Sequence, residues 1–251
     1  ILAKESGVVA GIDVAREVFK RVDPTVVFEA KVADGDAVAV GDVVIRIEGN
    51  ARSILASERL ALNFMQRMSG VATTTRKAMD LLAGTPTRVL DTRKTTPGLR
   101  AFEKWGVLLG GGVNHRMGLY DMILIKDNHV DYAGSMTAAL AGVQAYFEGG
   151  EPRVPVVVEV RSMSELNEAL AASDAEGLKL ERLLLDNFTP AQVKEAVTHV
   201  AGRLPLEPSG GIDLSNLRAY GEAGVDFVSM GALTHSVKSL DLSLKTQASL
   251  G

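Results

Sequence analysis

Six short apolar runs, at residues 87–90, 122–125, 156–160, 182–185, 206–207 and 227–230, alternate with stretches of helical period such as 164–173, 190–200 and 214–223. A chain with this rhythm builds parallel strands joined by right-handed crossovers, because each return path carries a helix back over the sheet. An open doubly wound sheet and a barrel both satisfy that constraint. The position of the polar residues separates them. The first run ends on Asp91-Thr92-Arg93-Lys94 and the second on Lys126-Asp127; the third carries Glu159 near its end, and the fourth passes into Asp186-Asn187. The last two pass into Ser209-Gly210-Gly211 and into Gly231 followed by His235. Chemistry at the carboxyl end of each strand is the signature of an α/β barrel, whose site gathers there. A closed or nearly closed barrel is expected, with six clear strands and one more near Leu108.

Upstream the period changes. Residues 1–48 read as short strands broken by turns, at 7–11, 26–28, 35–38 and 43–47, making a small β-rich module. It resembles half of a lipoyl-type sandwich but has no Lys at a hairpin tip, so it reads as a lid or dimer element. From Ser53, residues Ile54, Leu55, Leu60, Leu62, Phe64, Met65 and Met68 recur at helical spacing, predicting a long buried helix that joins two domains, with another helix over 70–82. The expected division is 1–68 for an N-terminal domain with its linking helix, 69–236 for the barrel, and 237–251 for a C-terminal segment returning toward the N-terminal domain. The chain opens on Ile1 without Met, so a further upstream segment is expected.

Between Asp91 and His129 the cations crowd: Arg93, Lys94, Arg100, Lys104, Arg116 and Lys126, with His115 and His129. Pro97-Gly98 and Gly110-Gly111-Gly112 punctuate the loop and helix that carry His115 and Arg116. Arg grips a carboxylate or phosphate through a planar fork, and Lys supplies a compact charge. Such a pocket repels itself when empty and suits a ligand bearing several negative charges. Taken singly, any of these Lys residues reads as a solvated surface charge, and Arg59 as a helix ion pair. Glu159 and Asp186, opposite the cations, suit a divalent metal, sugar hydroxyls or a developing cation, or simply a neighbouring Lys or Arg. Small residues after the last two strands expose backbone N–H groups of the kind that bind phosphate.

Composition excludes other classes. Net charge is -4 with pI about 5.7 and no basic run, which argues against a nucleic-acid surface. The chain contains no cysteine, which removes disulfides, thiolate metal sites and a cysteine nucleophile and suits a cytoplasmic setting. No apolar run reaches ~18 residues, so a membrane span has no support.

The stretches at 92–100 (Thr-Arg-Lys-Thr-Thr-Pro-Gly-Leu-Arg), 110–116 (Gly-Gly-Gly-Val-Asn-His-Arg), 124–129 (Leu-Ile-Lys-Asp-Asn-His), 185–188 (Leu-Asp-Asn-Phe) and 209–212 (Ser-Gly-Gly-Ile) resemble the quinolinate phosphoribosyltransferase family, also called carboxylating nicotinate-nucleotide pyrophosphorylases. The resemblance runs from about residue 1 to 236, and the Arg-Lys-Thr-Thr-Pro-Gly and Asn-His-Arg stretches are its most specific parts. It implies a small N-terminal α/β sandwich domain and an incomplete, open α/β barrel of about seven strands. It also implies a homodimer in which the partner's N-terminal domain completes each barrel. The implied reaction is quinolinate plus phosphoribosyl pyrophosphate (PRPP) to nicotinate mononucleotide, pyrophosphate and carbon dioxide, with Mg2+. By the same resemblance Arg93, His115, Arg116 and Lys126 surround the quinolinate carboxylates, and Arg59 reaches across from the other subunit. Lys94 and Lys126 meet PRPP, Glu159 and Asp186 approach the ribose hydroxyls and the metal, and Ser209, Gly210, Gly211, Gly231 and His235 receive the 5-phosphate. Lys94, Lys126, Glu159 and Asp186 form the implied catalytic set. The chain departs from the family in lacking a further N-terminal helical segment and in having Pro208 where a small residue is commoner. Competing readings are a relative acting on another base or in molybdate transport, and a phosphate-binding barrel aldolase or isomerase using Lys126 as a Schiff-base amine.

Overall fold

The computed structural model describes residues 1–176 and 178–246, so residues 247–251 of the expected C-terminal segment lie outside the described residues. Two compact units are formed. One comprises Ile1–Asp80, Lys94–Asn114 and the chain from Gly231 onward; the other comprises Leu81–Arg93 and His115–Met230.

The first unit opens with β1 (Leu2–Ala3) and β2 (Gly7–Val8), then α1 (Ile12–Val22), β3 (Val27–Ala30), β4 (Ala37–Val38) and β5 (Ile45–Glu48). β2 pairs β4 and β3 pairs β5, both antiparallel. The helix α1 corrects the expectation of strands and turns throughout this region. Its apolar stripe is narrow: Ile12, Ala15 and Phe19 are buried while Asp13, Arg16, Glu17, Lys20 and Arg21 occupy the rest of the surface. Phe19 meets Phe28 with ring centroids 5.8 Å apart, and the Arg16 guanidinium lies 4.7 Å from the Phe28 centroid.

A single 31-residue helix follows, α2 (Ala51–Leu81), where two helices meeting near residue 69 were expected. Gly70 weakens a helix by about 1 kcal/mol relative to Ala. Here its missing side chain admits the backbone of Lys238 and Ser239, which a Cβ would strike. The hydroxyls of Ser69 and Thr73 accept hydrogen bonds from Ala10 N (2.8 Å) and Val8 N (2.9 Å), so the small-residue stretch of α2 serves as the neighbour that β2 lacks on that side.

After β6 (Arg88–Leu90) comes α3 (Arg100–Leu109). The additional strand expected near Leu108 is therefore not formed: Leu108 lies exposed on α3 while Glu103, Lys104, Gly106 and Val107 turn inward. In the second unit β7 (Ile123–Ile125), α4 (Asp127–Ala133), α5 (Met136–Glu148), β8 (Val156–Val160), α6 (Met163–Glu176), β9 (Arg182–Asp186), α7 (Pro190–Val200), β10 (Leu206–Ser209), α8 (Leu217–Glu222) and β11 (Phe227–Ser229) alternate as the period predicts. Every residue of β8 is buried, as a parallel strand covered on both faces requires. α7 begins on a capping box of Thr189 and Gln192 with Pro190 in its first turn.

The parallel ladders run β7-β8-β9-β10 and β11-β6. β10 meets β11 through Asp226, whose Oδ2 accepts from Leu206 N at 2.9 Å, and no ladder joins β6 to β7 among the described residues. The result is an open arrangement of six parallel strands among the described residues, where about seven were expected. The last described elements, both of the first unit, are α9 (Ala232–His235) and β12 (Leu242–Ser243), which pairs antiparallel with β1. No helix among the described residues is long and apolar enough to cross a membrane.

Candidate functional site

Residues paired across a ladder project to the same side, and the side alternates along each strand. The registers Leu124↔Val157, Val157↔Arg182, Glu159↔Leu184, Leu184↔Glu207 and Asp186↔Ser209 therefore place these side chains on one face of the second unit's sheet. Leu124, Val157 and Leu184 pack together with Met122 as the apolar floor of that face. Beyond the floor, toward the carboxyl ends of the strands, stand Glu159, Asp186 and Ser209. Lys126, just past β7, reaches this row: its Nζ donates to Glu159 Oε2 at 3.0 Å. Lys126 is thus engaged as a cation against a carboxylate that is almost fully buried, an arrangement unlike that of a free amine awaiting a carbonyl.

Asp186 and Ser209 share a tightly built corner. Asn187 adopts a left-handed backbone (φ 57°), which points its amide back to Ser209 O at 2.8 Å, and its side-chain Nδ2 donates to Asp186 Oδ2 at 2.8 Å. Gly210 follows at φ +101°, and a Cβ there would collide with the Asn187 carboxamide.

His115 and Arg116 occupy neither helix nor strand, correcting the expectation of a helix around them. Both are buried, each 8% exposed. Arg116 Nη1 donates to Met122 O at 3.1 Å, and the next two backbone amides, of Met117 and Gly118, bond the Asp121 carboxylate. Burial pushes the Arg116 guanidinium below its ordinary range, the charge of Arg93 pushes the same way, and Asp121 opposes both.

Beneath them lies a network that reading the sequence did not single out. Glu207 is fully buried and accepts from Arg182 Nε and from Ser229 Oγ, while His115 Nε2 lies 3.4 Å from Glu207 Oε1. Burial opposes ionisation of Glu207, but His115, Arg182 and Ser229 outweigh it and hold the carboxyl below the usual carboxylate range. The His115 backbone amide donates to Asp91 Oδ1 at 2.8 Å, and Asp91 is itself fully buried. Charged residues inside the runs at 182–185 and 206–207 were the available signal, since an apolar strand does not bury a charge without a partner.

In the first unit, Thr234 Oγ1 donates to Lys94 O at 2.8 Å. A Cβ on Gly231 would lie 2.9 Å from His235 Nε2 and 3.4 Å from Lys94 Cδ, so these three expected site residues come together. Arg67, also missed from sequence, organises this group. It donates to Glu103 Oε1 through Nε (3.0 Å) and Nη2 (2.6 Å), and to Thr96 Oγ1, Thr234 O and Val237 O. Arg59 stands exposed on α2, and its side chain has no hydrogen bond or ion pair among the described residues.

No group of three or more His, Asp or Glu side chains that could hold a metal occurs among the described residues. Of the three carboxylates on this face, Glu207 is fully buried and taken up by Arg182 and Ser229, which leaves Glu159 and Asp186. That set suits Mg2+, which keeps waters and takes one or two carboxylates together with substrate phosphates.

Residues 71–245 match the family described as "Quinolinate phosphoribosyl transferase, C-terminal domain", and residues 1–69 match its N-terminal domain. Over 258 residues the chain is 45% identical to the decarboxylating quinolinate phosphoribosyltransferase 2a, mitochondrial, of Nicotiana tabacum, covering 99% of this chain and 73% of that protein. It is 40% identical over 244 residues to the probable carboxylating nicotinate-nucleotide pyrophosphorylase of Bacillus subtilis, covering 97% and 81%. Among solved structures, NadC from Streptococcus pyogenes superposes with a TM-score of 0.90 at 43% identity, covering 98% of this chain and 84% of that one.

Proposed function

The chain belongs to the quinolinate phosphoribosyltransferase family, and from that premise we propose that it transfers the phosphoribosyl group of PRPP to quinolinate with decarboxylation, a step of de novo NAD biosynthesis. The observation that carries this reading is the Lys126–Glu159 pair, which stands with Asp186 and Ser209 at the carboxyl ends of the strands in the unit that also holds Arg93 and Arg116. Two fork-shaped cations suit the two carboxylates of a pyridine diacid, and Lys126 adds a third charge.

The ring nitrogen of quinolinate attacks C1 of the ribose, the bond from C1 to the pyrophosphate oxygen breaks, and pyrophosphate departs. Positive charge builds on the sugar meanwhile, and Glu159 and Asp186 are the carboxylates that stabilise it. Lys126 meets the departing oxygens. Glu159 and Asp186 are the residues that would hold Mg2+, which when bound would offset negative charge on the leaving group. Ribosylation makes the ring nitrogen cationic, so the adjacent carboxylate leaves as carbon dioxide, its electron pair stays on the ring carbon, and a proton takes its place. Arg93 and Arg116 hold the carboxylate that remains. Ser209, Gly210 and Gly211 receive the 5-phosphate.

The proposal includes a homodimer in which exposed Arg59 reaches the partner's site, and a cytoplasmic setting for an enzyme without cysteine. Incubation with quinolinate, PRPP and Mg2+ should release one carbon dioxide per nicotinate mononucleotide, with nicotinate inert in place of quinolinate. Absence of turnover, or equal use of nicotinate, refutes the assignment.

A further inference from the structure

The geometry around His115, a residue expected near the substrate, points to a further task within the protein. The amide of Arg116 donates to His115 Nδ1 at 2.7 Å. An N–H can point at that nitrogen only if it carries a lone pair, so the ring proton sits on Nε2, the nitrogen that faces Glu207. Both ring nitrogens are thus directed at protein partners. One bond fixes the backbone immediately before the Arg116 side chain, and the other ties the ring to a carboxylate anchored on two more strands, through Arg182 of β9 and Ser229 of β11. Asp91, just past β6, holds the His115 amide from below.

We propose that Glu207 is a positioning residue for quinolinate binding: through His115 it sets the tautomer and the backbone that aim Arg116, with His115 as the strut between them. This rests on the functional reading above. A carboxylate is suited to the task because Oε1 must accept from both His115 and Ser229 while Oε2 accepts from Arg182, and an amide would set an N–H donor against another donor. The Arg116 side chain is tethered at Nη1 by Met122 O, and a backbone free to shift beneath it would lose the rest of the pre-organisation that makes a guanidinium fork effective. The effect should fall on quinolinate and spare PRPP.

The test pairs a spectroscopic readout with binding. The protein has four histidines, so ring 15N shifts in the whole protein can be assigned to His115 by comparison with His115→Gln. In the wild type Nδ1 should show the shift of an unprotonated nitrogen and Nε2 that of a protonated one; Glu207→Gln should blur this into a tautomer mixture. By calorimetry, Glu207→Gln should weaken quinolinate about tenfold while PRPP changes less than about twofold. A protonated Nδ1 in the wild type overturns the proposal, as does an unchanged tautomer and quinolinate affinity in Glu207→Gln, or an equal loss for both substrates. Should Glu207→Gln fail to fold, Ser229→Ala keeps the ion pair with Arg182 and is expected to weaken quinolinate about threefold with PRPP unaffected; no change in quinolinate there overturns the proposal. The ring shifts need no substrate, so a protein that shows the expected tautomer yet turns over no quinolinate sinks the functional reading and not the strut.

Discussion

The pair Arg67–Glu103 gives the sharpest stability test. Glu103 is 0% exposed and Arg67 22%, with Nη2 2.6 Å from Glu103 Oε1, and the second carboxylate oxygen accepts from Thr96 N at 3.0 Å. Replacing Arg67 with Met keeps most of the stem's packing and removes the fork. Glu103 then keeps its single backbone donor inside the protein, while Thr234 O and Val237 O lose theirs. Breaking a buried ion pair from one side costs about 3 to 5 kcal/mol, because a charge remains without its partner. Partial exposure of Arg67 lets water approach, which favours the lower end, about 3 kcal/mol. For a chain of this size each kcal/mol moves the midpoint by about 2 to 4 °C, so Arg67→Met should lower Tm by about 6 to 12 °C. The double variant Arg67→Met with Glu103→Leu removes the stranded charge and should recover at least half of that loss. Thermal and urea unfolding followed by circular dichroism measure both. A single variant within about 2 °C of wild type, or a double variant as unstable as two added losses, refutes the claim that the fork neutralises a buried carboxylate.

Other expectations concern the second unit. Arg116→Ala should weaken quinolinate by roughly 2 to 5 kcal/mol, the cost of removing one partner of a desolvated charge pair, and exposed Arg93→Ala by less; calorimetry showing normal binding in both would refute their assignment. Gly210→Ala should destabilise the Asp186–Ser209 corner by about 1 to 3 kcal/mol through its positive φ and the clash with Asn187, raising the PRPP constant; unchanged Tm and PRPP affinity would count against that corner. Glu207 titrates lower folded than unfolded, so the stability it lends is complete above its unfolded value near 4.5 and is lost as pH falls through the depressed folded value. Urea midpoints between pH 3 and 6 should show this loss, and Glu207→Gln should flatten it.

The strands of the second unit were legible to within a residue or two because parallel strands buried on both faces appear as short apolar runs between helices. The carboxyl-end rule then pointed to Lys126, Glu159, Asp186 and Ser209, and the period of two puts Glu159, Asp186 and Ser209 on one face. Helix α1 was hidden because only three of its eleven residues are buried, too few to outweigh five charges. Continuity of α2 through Gly70 depends on the backbone at Lys238 and Ser239, far along the chain.

The same distance explains the missed charges. Arg67 and Glu103 lie 36 positions apart, and Arg182 and Glu207 lie 25 apart. Nothing local tells a charge that will be buried with a partner from one that will stay in water. Periodicity reports which face a residue occupies; only the register between strands decides whether the residue opposite bears the complementary charge. Glu207 falls in register beside Leu184, two residues past Arg182, and it is this offset that turns an acid in an apolar strand into a support for His115. A one-residue slip of β10 against β9 would turn Glu207 to the opposite face and put Pro208 in its place. Register of the parallel sheet and aim of Arg116 are on this account one property, and a variant that loosens the β9–β10 ladder should degrade quinolinate binding before it unfolds the protein.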